Sequence, residues 1–185
     1  MARDVVMVNG LPGSGKSTVA PRLAAALGAV CLDPERIEEA LSQAVVTEVP
    51  GLPVVAMETV WTLAAALSGM VVIDAWFPPR DLERVRAGLA RTGATATVEV
   101  WCEAPADVAR ARFSAGRRRP SVHADGERLA RDWAAWAAEA EPLGLGPVVR
   151  IDTTGPLALP ELADRIRKLL WDRSDFEKPG GGGRS

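Results

Sequence analysis

The fold of this chain is decided near its start by eight consecutive residues, Gly10-Leu11-Pro12-Gly13-Ser14-Gly15-Lys16-Ser17. They match the pattern G-x-x-x-x-G-K-[ST], whose glycines let successive backbone N–H groups converge on a phosphate. The lysine of this pattern reaches the β- and γ-phosphates of a nucleotide, and the serine hydroxyl can bind Mg²⁺. The stretch therefore predicts a phosphate-binding loop.

Both flanks of the loop have the structure that the motif requires. Residues 5–8, Val-Val-Met-Val, are typical of a buried parallel strand. A helical pattern follows from Thr18 to Leu27, with Gly28 as its C-cap, and its positive N-terminus would face the same anion. A chance glycine-rich turn is disfavoured because the fixed positions and both flanks agree. Thr18 is added to the eight loop residues as a predicted nucleotide contact.

The bulk properties are those of an ordinary globular protein. The chain has 185 residues, of which 48% are hydrophobic and 25% charged, enough for one domain with a sizeable core. Its net charge of −2 argues against a broad nucleic-acid-binding surface. We find neither an apolar run of membrane-spanning length nor a signal-peptide pattern, so the sequence predicts a cytoplasmic protein without a membrane partner.

Cysteine and histidine are too few for several kinds of site. Cys31 and Cys102 are far apart, match no metal-ligand spacing and are predicted to be buried free thiols. His123 is the only histidine, which makes a zinc site or a histidine-based triad very unfavourable.

Strand and helix patterns alternate along the chain, which predicts a parallel sheet covered by helices on both faces. Further strands are predicted at 29–32, 70–74, 95–102 and 148–152, and further helices at 34–44, 54–67, 80–91, 105–115, 125–141 and 159–171. We expect a single α/β domain of three layers over residues 1–171. The polar, glycine-ending segment 172–185 is predicted to be a disordered tail.

Two predicted strands lead into an acidic residue: Asp33 follows the strand at 29–32, and Asp74 ends the strand at 70–74. Asp74, after four apolar strand residues, is predicted to hold Mg²⁺ through coordinated water or to orient an acceptor, although it could instead cap a turn. A GTPase would show Asp-x-x-Gly here, whereas Asp74 is followed by 75–77, Ala-Trp-Phe, and the base-reading motif of GTPases is also missing. Transporter-ATPase signatures are missing too. What remains is a small-kinase layout of loop, two acids and an arginine-rich lid.

With these motifs the chain resembles the small kinases of the nucleoside-monophosphate-kinase-like group. Within that group it is similar to gluconate-kinase-like enzymes, chloramphenicol phosphotransferase and the polynucleotide 5′-kinases. The resemblance covers residues 4–171. It implies a five-stranded parallel sheet in the order 2-3-1-4-5, in which the loops after strands one, two and three open onto one crevice.

The segment Asp33-Pro34-Glu35-Arg36 resembles the Asp-x-x-Arg of polynucleotide-type kinases. The resemblance implies that Asp33 is the base that accepts the proton of a hydroxyl acceptor, and that Arg36 holds the substrate. Asp33 could also be only the N-cap of the helix that begins at Pro34, and the two roles are compatible. Arg36 could equally pair with Glu35 or Glu39 on the helix surface. Arg80 is a lesser candidate for gripping the acceptor, or a solvated helix start.

An arginine-rich segment is predicted to form a lid over residues 116–126. By resemblance, Arg112 stacks on adenine and Arg117 contacts the phosphates, with Arg118 and Arg119 as alternatives to Arg117. A solvated basic helix end is the other interpretation of this cluster. Thr153, after the fifth strand, lies where related enzymes surround adenine with main-chain groups.

These residues predict an ATP- and Mg²⁺-dependent kinase that transfers the γ-phosphoryl group to a hydroxyl of a small molecule such as a sugar, metabolite or antibiotic. Its catalytic residues would be Lys16, Asp33 and Arg117. Two alternatives remain. One is a nucleic-acid 5′-hydroxyl kinase, disfavoured by mild acidity and the absence of tyrosine. The other is an ATP-binding switch that acts through a protein partner. The acceptor and the oligomeric state are left open.

Overall fold

A five-stranded sheet, parallel at every strand pairing, forms the centre of the part of the chain that the structure describes. The computed structural model describes residues 3–45, 47, 49–116 and 126–174. The strands are β1 (Arg3–Asn9), β2 (Val30–Leu32), β3 (Met70–Asp74), β4 (Ala94–Glu103) and β5 (Val148–Asp152). Their order is β2-β3-β1-β4-β5, which confirms the predicted order.

Helices connect the strands and cover both faces of the sheet. They are α1 (Lys16–Leu27), α2 (Pro34–Ala44), α3 (Leu52–Ala66), α4 (Leu82–Thr92), α5 (Ala106–Gly116), α6 (Gly126–Ala138) and α7 (Leu159–Ser174). A 3₁₀ turn, Pro79–Asp81, precedes α4. Among the described helices, none combines the length and the apolar character that a membrane crossing requires.

The alternation of side chains along the central strands divides the core between the two faces. Val6 and Val8 of β1 belong to the cluster that α1 and α7 cover, together with Leu23 and Ile166. Met7 faces the opposite cluster, which α3 and α4 cover. Strands buried on both faces read as continuous apolar runs, which is why residues 5–8 and 70–73 were recognisable as strands.

The parallel arrangement brings the functional positions to one edge of the sheet. The phosphate loop leaves the carboxyl end of β1, Asp33 follows β2, and Asp74 ends β3. The register pairs Val8 with Asp74, so this carboxylate lies beside the strand residue that comes two positions before Gly10. In open α/β sheets this edge is where ligands bind, at the point where the strand order reverses.

Several predicted boundaries differ from the observed ones, two of them at prolines. Helix α3 begins at Leu52 rather than 54, because Pro53 lies in the first turn, where its missing N–H costs no hydrogen bond. The segment predicted as a helix from Arg80 is instead a 3₁₀ turn followed by α4. Helix α7 continues to Ser174, so the first residues of the predicted tail are helical, and residues 175–185 lie outside the described part.

Candidate active site

The phosphate loop lies directly against α5, and Gly13 makes this contact. Its φ is +79°, a backbone conformation that L side chains rarely adopt. A Cβ at this position would lie 2.1 Å from the carbonyl oxygen of Ala109 in α5. Both the backbone and the available space therefore require glycine here. The loop closes on itself through the Ser14 N–H, which donates to the Leu11 carbonyl oxygen at 2.9 Å.

The loop and the start of α1 fit an anionic ligand. Gly15 precedes α1 with φ +94° and supplies no side-chain cap to the first turn of the helix. The Thr18 N–H donates to the Gly15 carbonyl oxygen at 3.0 Å. Helix N–H groups without a side-chain cap, together with the positive end of the helix dipole, form a ready phosphate site.

Lys16 folds over the loop that precedes it. Its Nζ donates to the carbonyl oxygens of Gly10 at 2.9 Å and Leu11 at 3.0 Å, and its side chain is buried. Burial lowers the pKa of Lys16, and the nearby carboxylate of Asp74 opposes this shift. The ammonium group is therefore held at the mouth of the loop by acceptors and a carboxylate that favour its charged form.

Asp74 is a buried carboxylate with a strongly shifted pKa. Its side chain is 5% exposed, and burial raises its pKa to about 6, although the charge of Lys16 and a hydrogen bond from Ser17 oppose this shift. The Ser17 hydroxyl and Asp74 are thus in contact, and their predicted roles toward Mg²⁺ stay predictions.

The contact between Ser17 and Asp74 fits a Mg²⁺ ion that is shared with a nucleotide. Mg²⁺ in kinases is usually bound by one or two protein oxygens, several waters and phosphate oxygens. Among the described residues there is no group of three His, Cys, Asp or Glu that could hold a metal ion without such help. The donor set of one hydroxyl and one carboxylate agrees with this shared coordination.

Asp33 is the N-cap of α2, as one of its two predicted roles requires. Its Oδ1 accepts the N–H of Glu35 at 2.9 Å and that of Arg36 at 3.3 Å. The cap uses this one oxygen and holds the carboxyl group at the end of β2. Asp33 as a catalytic base remains a prediction, and the cap is compatible with it.

Four polar side chains predicted to act on nucleotide, metal or acceptor line one cavity of about 300 Å³. They are Ser17, Asp33, Arg36 and Asp74, which come from α1, the β2–α2 junction and the end of β3. The described residues give Arg36 no ion pair with Glu35 or Glu39. Arg36 is thus placed on the wall of this cavity without an ion pair to either of these glutamates.

Arg112 and Thr153, the two predicted adenine contacts, touch each other. Arg112 Nη2 donates to the Thr153 carbonyl oxygen at 3.3 Å. Thr153 Oγ1 lies 2.6 Å from the Ser14 carbonyl oxygen and 2.8 Å from that of Glu103, within donating distance of both. The segment after β5 is thus tied to the phosphate loop on one side and to α5 on the other. The roles of both residues toward a nucleotide stay predictions.

Two other predicted contacts lie elsewhere or outside the described residues. Arg80 forms an ion pair with Glu139 and does not line the cavity that contains Asp33. Arg117, the predicted catalytic arginine, lies outside the described residues, as does most of the predicted lid at 116–126. Arg80 and Arg117 therefore remain predictions.

A buried polar network that the sequence analysis missed supports the loop from below. Asn9 Oδ1 accepts the N–H groups of Gly10 at 2.7 Å and Phe77 at 2.9 Å, and its Nδ2 donates to the Phe77 carbonyl oxygen at 3.0 Å and Glu99 Oε1 at 2.8 Å. Glu99 also accepts the N–H groups of Leu143 and Gly144. The available signal was a carboxylate within the apolar β4 pattern and an asparagine directly before Gly10.

The sequence matches the model of a known protein family over most of its length. A family model described as AAA domain matches residues 5–143, which include the phosphate loop, Asp33 and Asp74. The chain belongs to the AAA domain family. None of the curated proteins matches this AAA-domain chain in sequence.

Solved structures share the fold of this AAA-domain protein. A candidate kinase from Chloroflexus aurantiacus aligns with a TM-score of 0.71 at 21% identity, over 91% of this chain and 99% of that one. A gluconokinase from Sinorhizobium meliloti gives 0.60 at 17%, over 95% and 97%. The Mycobacterium tuberculosis APS kinase CysC, in complex with AMPPNP and APS, gives 0.58 at 20%, over 92% and 98%. This AAA-domain protein therefore has the fold of small P-loop kinases.

Proposed function

We propose that this protein is an ATP- and Mg²⁺-dependent kinase that phosphorylates a hydroxyl group of a small molecule. The observation that carries the proposal is the shared cavity, in which Asp33 and Asp74 meet Ser17 of the phosphate loop. Two carboxylates beside a phosphate loop supply a proton acceptor and a metal contact at the place where a γ-phosphate would lie. The fold shared with a gluconokinase and an APS kinase supports the same class of reaction.

The loop residues would bind and orient the triphosphate. Backbone N–H groups of the loop and of the first turn of α1 would surround the phosphate oxygens, and Lys16 would exchange its bonds to Gly10 and Leu11 for the β- and γ-phosphates. Arg112 and Thr153 would hold the adenine between α5 and the segment after β5. Arg117 would bring a second positive charge to the transferring group.

Asp33 would accept the proton of the acceptor hydroxyl. As the acceptor oxygen forms its bond to the γ-phosphorus, the bond from that phosphorus to the bridging oxygen of ADP breaks, and the hydroxyl proton passes to Asp33. The cap bonds to the N–H groups of Glu35 and Arg36 keep the carboxylate in place during this step. Arg36, on the wall of the same cavity, would hold the acceptor.

Ser17 and Asp74 would hold the metal ion from the protein side. When bound, Mg²⁺ neutralises the charge that develops on the β- and γ-phosphate oxygens. Asp74 is ionised at neutral pH although burial raises its pKa to about 6, so it can serve as a ligand, directly or through water.

A pair of substitutions at Asp33 separates its catalytic role from its cap. Asparagine caps helices as well as aspartate does, so Asp33→Asn should fold normally and bind ATP within about 2-fold of the wild type. Without a proton acceptor, its turnover should fall by about 10²- to 10⁴-fold. Asp33→Ala should lose both the turnover and about 1 kcal/mol of stability.

The acceptor class is found with a coupled assay of ADP release over sugars, nucleosides, aminoglycosides and 5′-hydroxyl oligonucleotides. Transfer to small molecules that Asp33→Asn abolishes supports the proposal. Turnover by Asp33→Asn at the wild-type rate would show that Asp33 is not the base. ATP binding without transfer to any acceptor would instead favour a nucleotide-dependent switch.

A further inference from the structure

About half of the residues that line the cavity shared by Asp33 and Asp74 are polar, and the others are apolar apart from one thiol. The polar half of the lining is the four side chains already described. The apolar half of the lining is Pro21, Leu32, Ile37 and Leu63, together with Cys31. From this composition we infer that the acceptor is an amphipathic alcohol, whose hydroxyl lies at the carboxylates and whose apolar group contacts the apolar half of the lining. The inference rests on the proposed kinase function and narrows its substrate class.

The thiol does not make the apolar half polar. Burial, with the nearby charges of Asp74 and Asp33, raises the pKa of Cys31 to about 11, so the thiol is neutral at physiological pH. A neutral thiol is a weak hydrogen-bond donor and behaves like a small apolar side chain. The other four residues of this half have no polar side-chain atom.

Helix α3 contributes an apolar side chain to the cavity, and its charged residue and its threonines are engaged elsewhere. Glu58, the charged residue of this helix, forms an ion pair with Arg91 of α4. Thr59 Oγ1 donates to the Val55 carbonyl oxygen at 2.8 Å, and Thr62 Oγ1 donates to that of Glu58 at 2.9 Å. Leu63 is the α3 residue that lines the cavity.

This lining selects against a polyol. A sugar or sugar acid presents hydroxyl groups around its whole length, and those placed against Leu32, Ile37 and Leu63 would lose water without gaining a side-chain partner. An alcohol attached to a ring or a short apolar chain leaves no such group unpaired. Its apolar part would instead displace water from aliphatic surface. A volume of about 300 Å³ is at the small end of small-molecule sites, which suits one ring.

Matched acceptors test this inference in the presence of MgATP. Sorbitol and gluconate are the polyol probes, and 2-phenylethanol and 3-phenoxypropane-1,2-diol are alcohols that carry a ring. Coupled ADP release should give the ring alcohols a kcat/KM at least about 10-fold above that of the polyols. Saturation-transfer NMR with a non-hydrolysable ATP analogue measures binding of the same four probes without turnover.

Two substitutions on α3 make the test specific to the cavity. Leu63→Asn places an amide in the apolar half, at a position that is 40% exposed and so tolerates a polar residue. It should lower kcat/KM for the ring alcohols about 10-fold and leave the KM for ATP unchanged. Val55→Asn is the control, because Val55 is on the same helix, is 47% exposed and does not line the cavity. It should change neither constant.

The outcomes separate this inference from the function on which it rests. Two results would overturn the amphipathic acceptor and leave the kinase proposal intact. One is that polyols are phosphorylated as efficiently as ring alcohols. The other is that Leu63→Asn and Val55→Asn have equal effects on kcat/KM for the ring alcohols. Failure of the ring alcohols to bind would overturn it as well. Ring alcohols that bind in a Leu63-dependent way but are not phosphorylated would support the cavity assignment and count against the kinase reaction.

Discussion

Asn9 and Glu99 form a direct hydrogen bond of 2.8 Å between Asn9 Nδ2 and Glu99 Oε1, and both side chains are completely buried. The pair joins β1 to β4 beneath the phosphate loop. Through Asn9 it holds the backbone of Gly10 and Phe77, and through Glu99 it holds the segment at 143–144. The start of the loop and the turn after Asp74 therefore have a common anchor.

Removing the Glu99 carboxylate should destabilise the fold. Glu99→Leu, which keeps a similar volume, removes the acceptor of one N–H of the buried Asn9 amide and of two part-buried backbone N–H groups. We expect the free energy of unfolding to fall by about 2–4 kcal/mol in denaturant titrations. Glu103→Gln is the control, since this neighbouring glutamate forms an exposed ion pair with Arg150 and should cost less than about 1 kcal/mol. Equal losses for the two variants would contradict a supporting role for Glu99.

Gly13→Ala should be much more harmful than the same change at Gly51. Both glycines have nearly the same backbone conformation, with φ of +79° and +81°. A Cβ on Gly51 meets no atom within 4 Å, whereas one on Gly13 meets the Ala109 carbonyl oxygen. We expect about 1 kcal/mol of lost stability at Gly51 from the backbone alone. The loss at Gly13 should exceed this and be accompanied by loss of ATP binding, both measured by thermal unfolding with and without MgATP. Equal shifts would show that the loop does not need its contact with α5.

Lys16→Ala should sharply reduce activity without unfolding the protein. The Nζ contacts only two carbonyl oxygens of the loop in the described part of the chain, so the fold loses little. The transferring phosphate, however, loses a charged donor, and kcat/KM should fall by about 10²- to 10³-fold. Lys168→Ala is the matched control, because Lys168 is an exposed residue of α7 and should leave the rate unchanged. Wild-type turnover by Lys16→Ala would rule out the phosphate loop as the site of transfer.

Asp74 should make the ligand-free protein less stable as the pH rises from about 4 to about 6. Burial raises its pKa from the ordinary 3.8 to about 6, so the folded protein holds this proton more tightly than the unfolded chain. Asp74→Asn should therefore match the wild type near pH 4 and exceed its stability by up to about 3 kcal/mol at pH 7, in denaturant titrations without Mg²⁺.

An exposed aspartate provides the control with the opposite sign. Hydrogen bonds from Thr154 lower the pKa of Asp152, so its charge stabilises the fold above pH 4. Asp152→Asn should therefore lose stability relative to the wild type as the pH rises, whereas Asp74→Asn should gain it. The same pH trend in both variants would contradict the assigned burial of Asp74.

Sequence reasoning succeeded where the responsible residues are neighbours in the chain. The phosphate loop, the apolar strands before it and at 70–74, and the Asp33 cap each follow from contacts within a few residues. The resemblance to small kinases then implied the strand order, which the structure confirms. Arg80 shows the opposite case, because its ion-pair partner Glu139 is far away in the sequence and nothing near Arg80 points to it.

The chain's local chemistry was enough to establish a phosphate loop on a parallel sheet, because glycine conformation, strand hydrophobicity and helix caps act over short stretches. Folding was needed to unite Asn9 with Glu99, ninety residues apart, and to pair Ser17 with Asp74. The cavity likewise depends on Leu63 of α3 and Asp33 lining the same space. Such contacts depend on how helices and strands pack across the sheet. Because the hydrophobic effect that drives this packing is non-directional, a local sequence pattern does not specify which distant residues will meet.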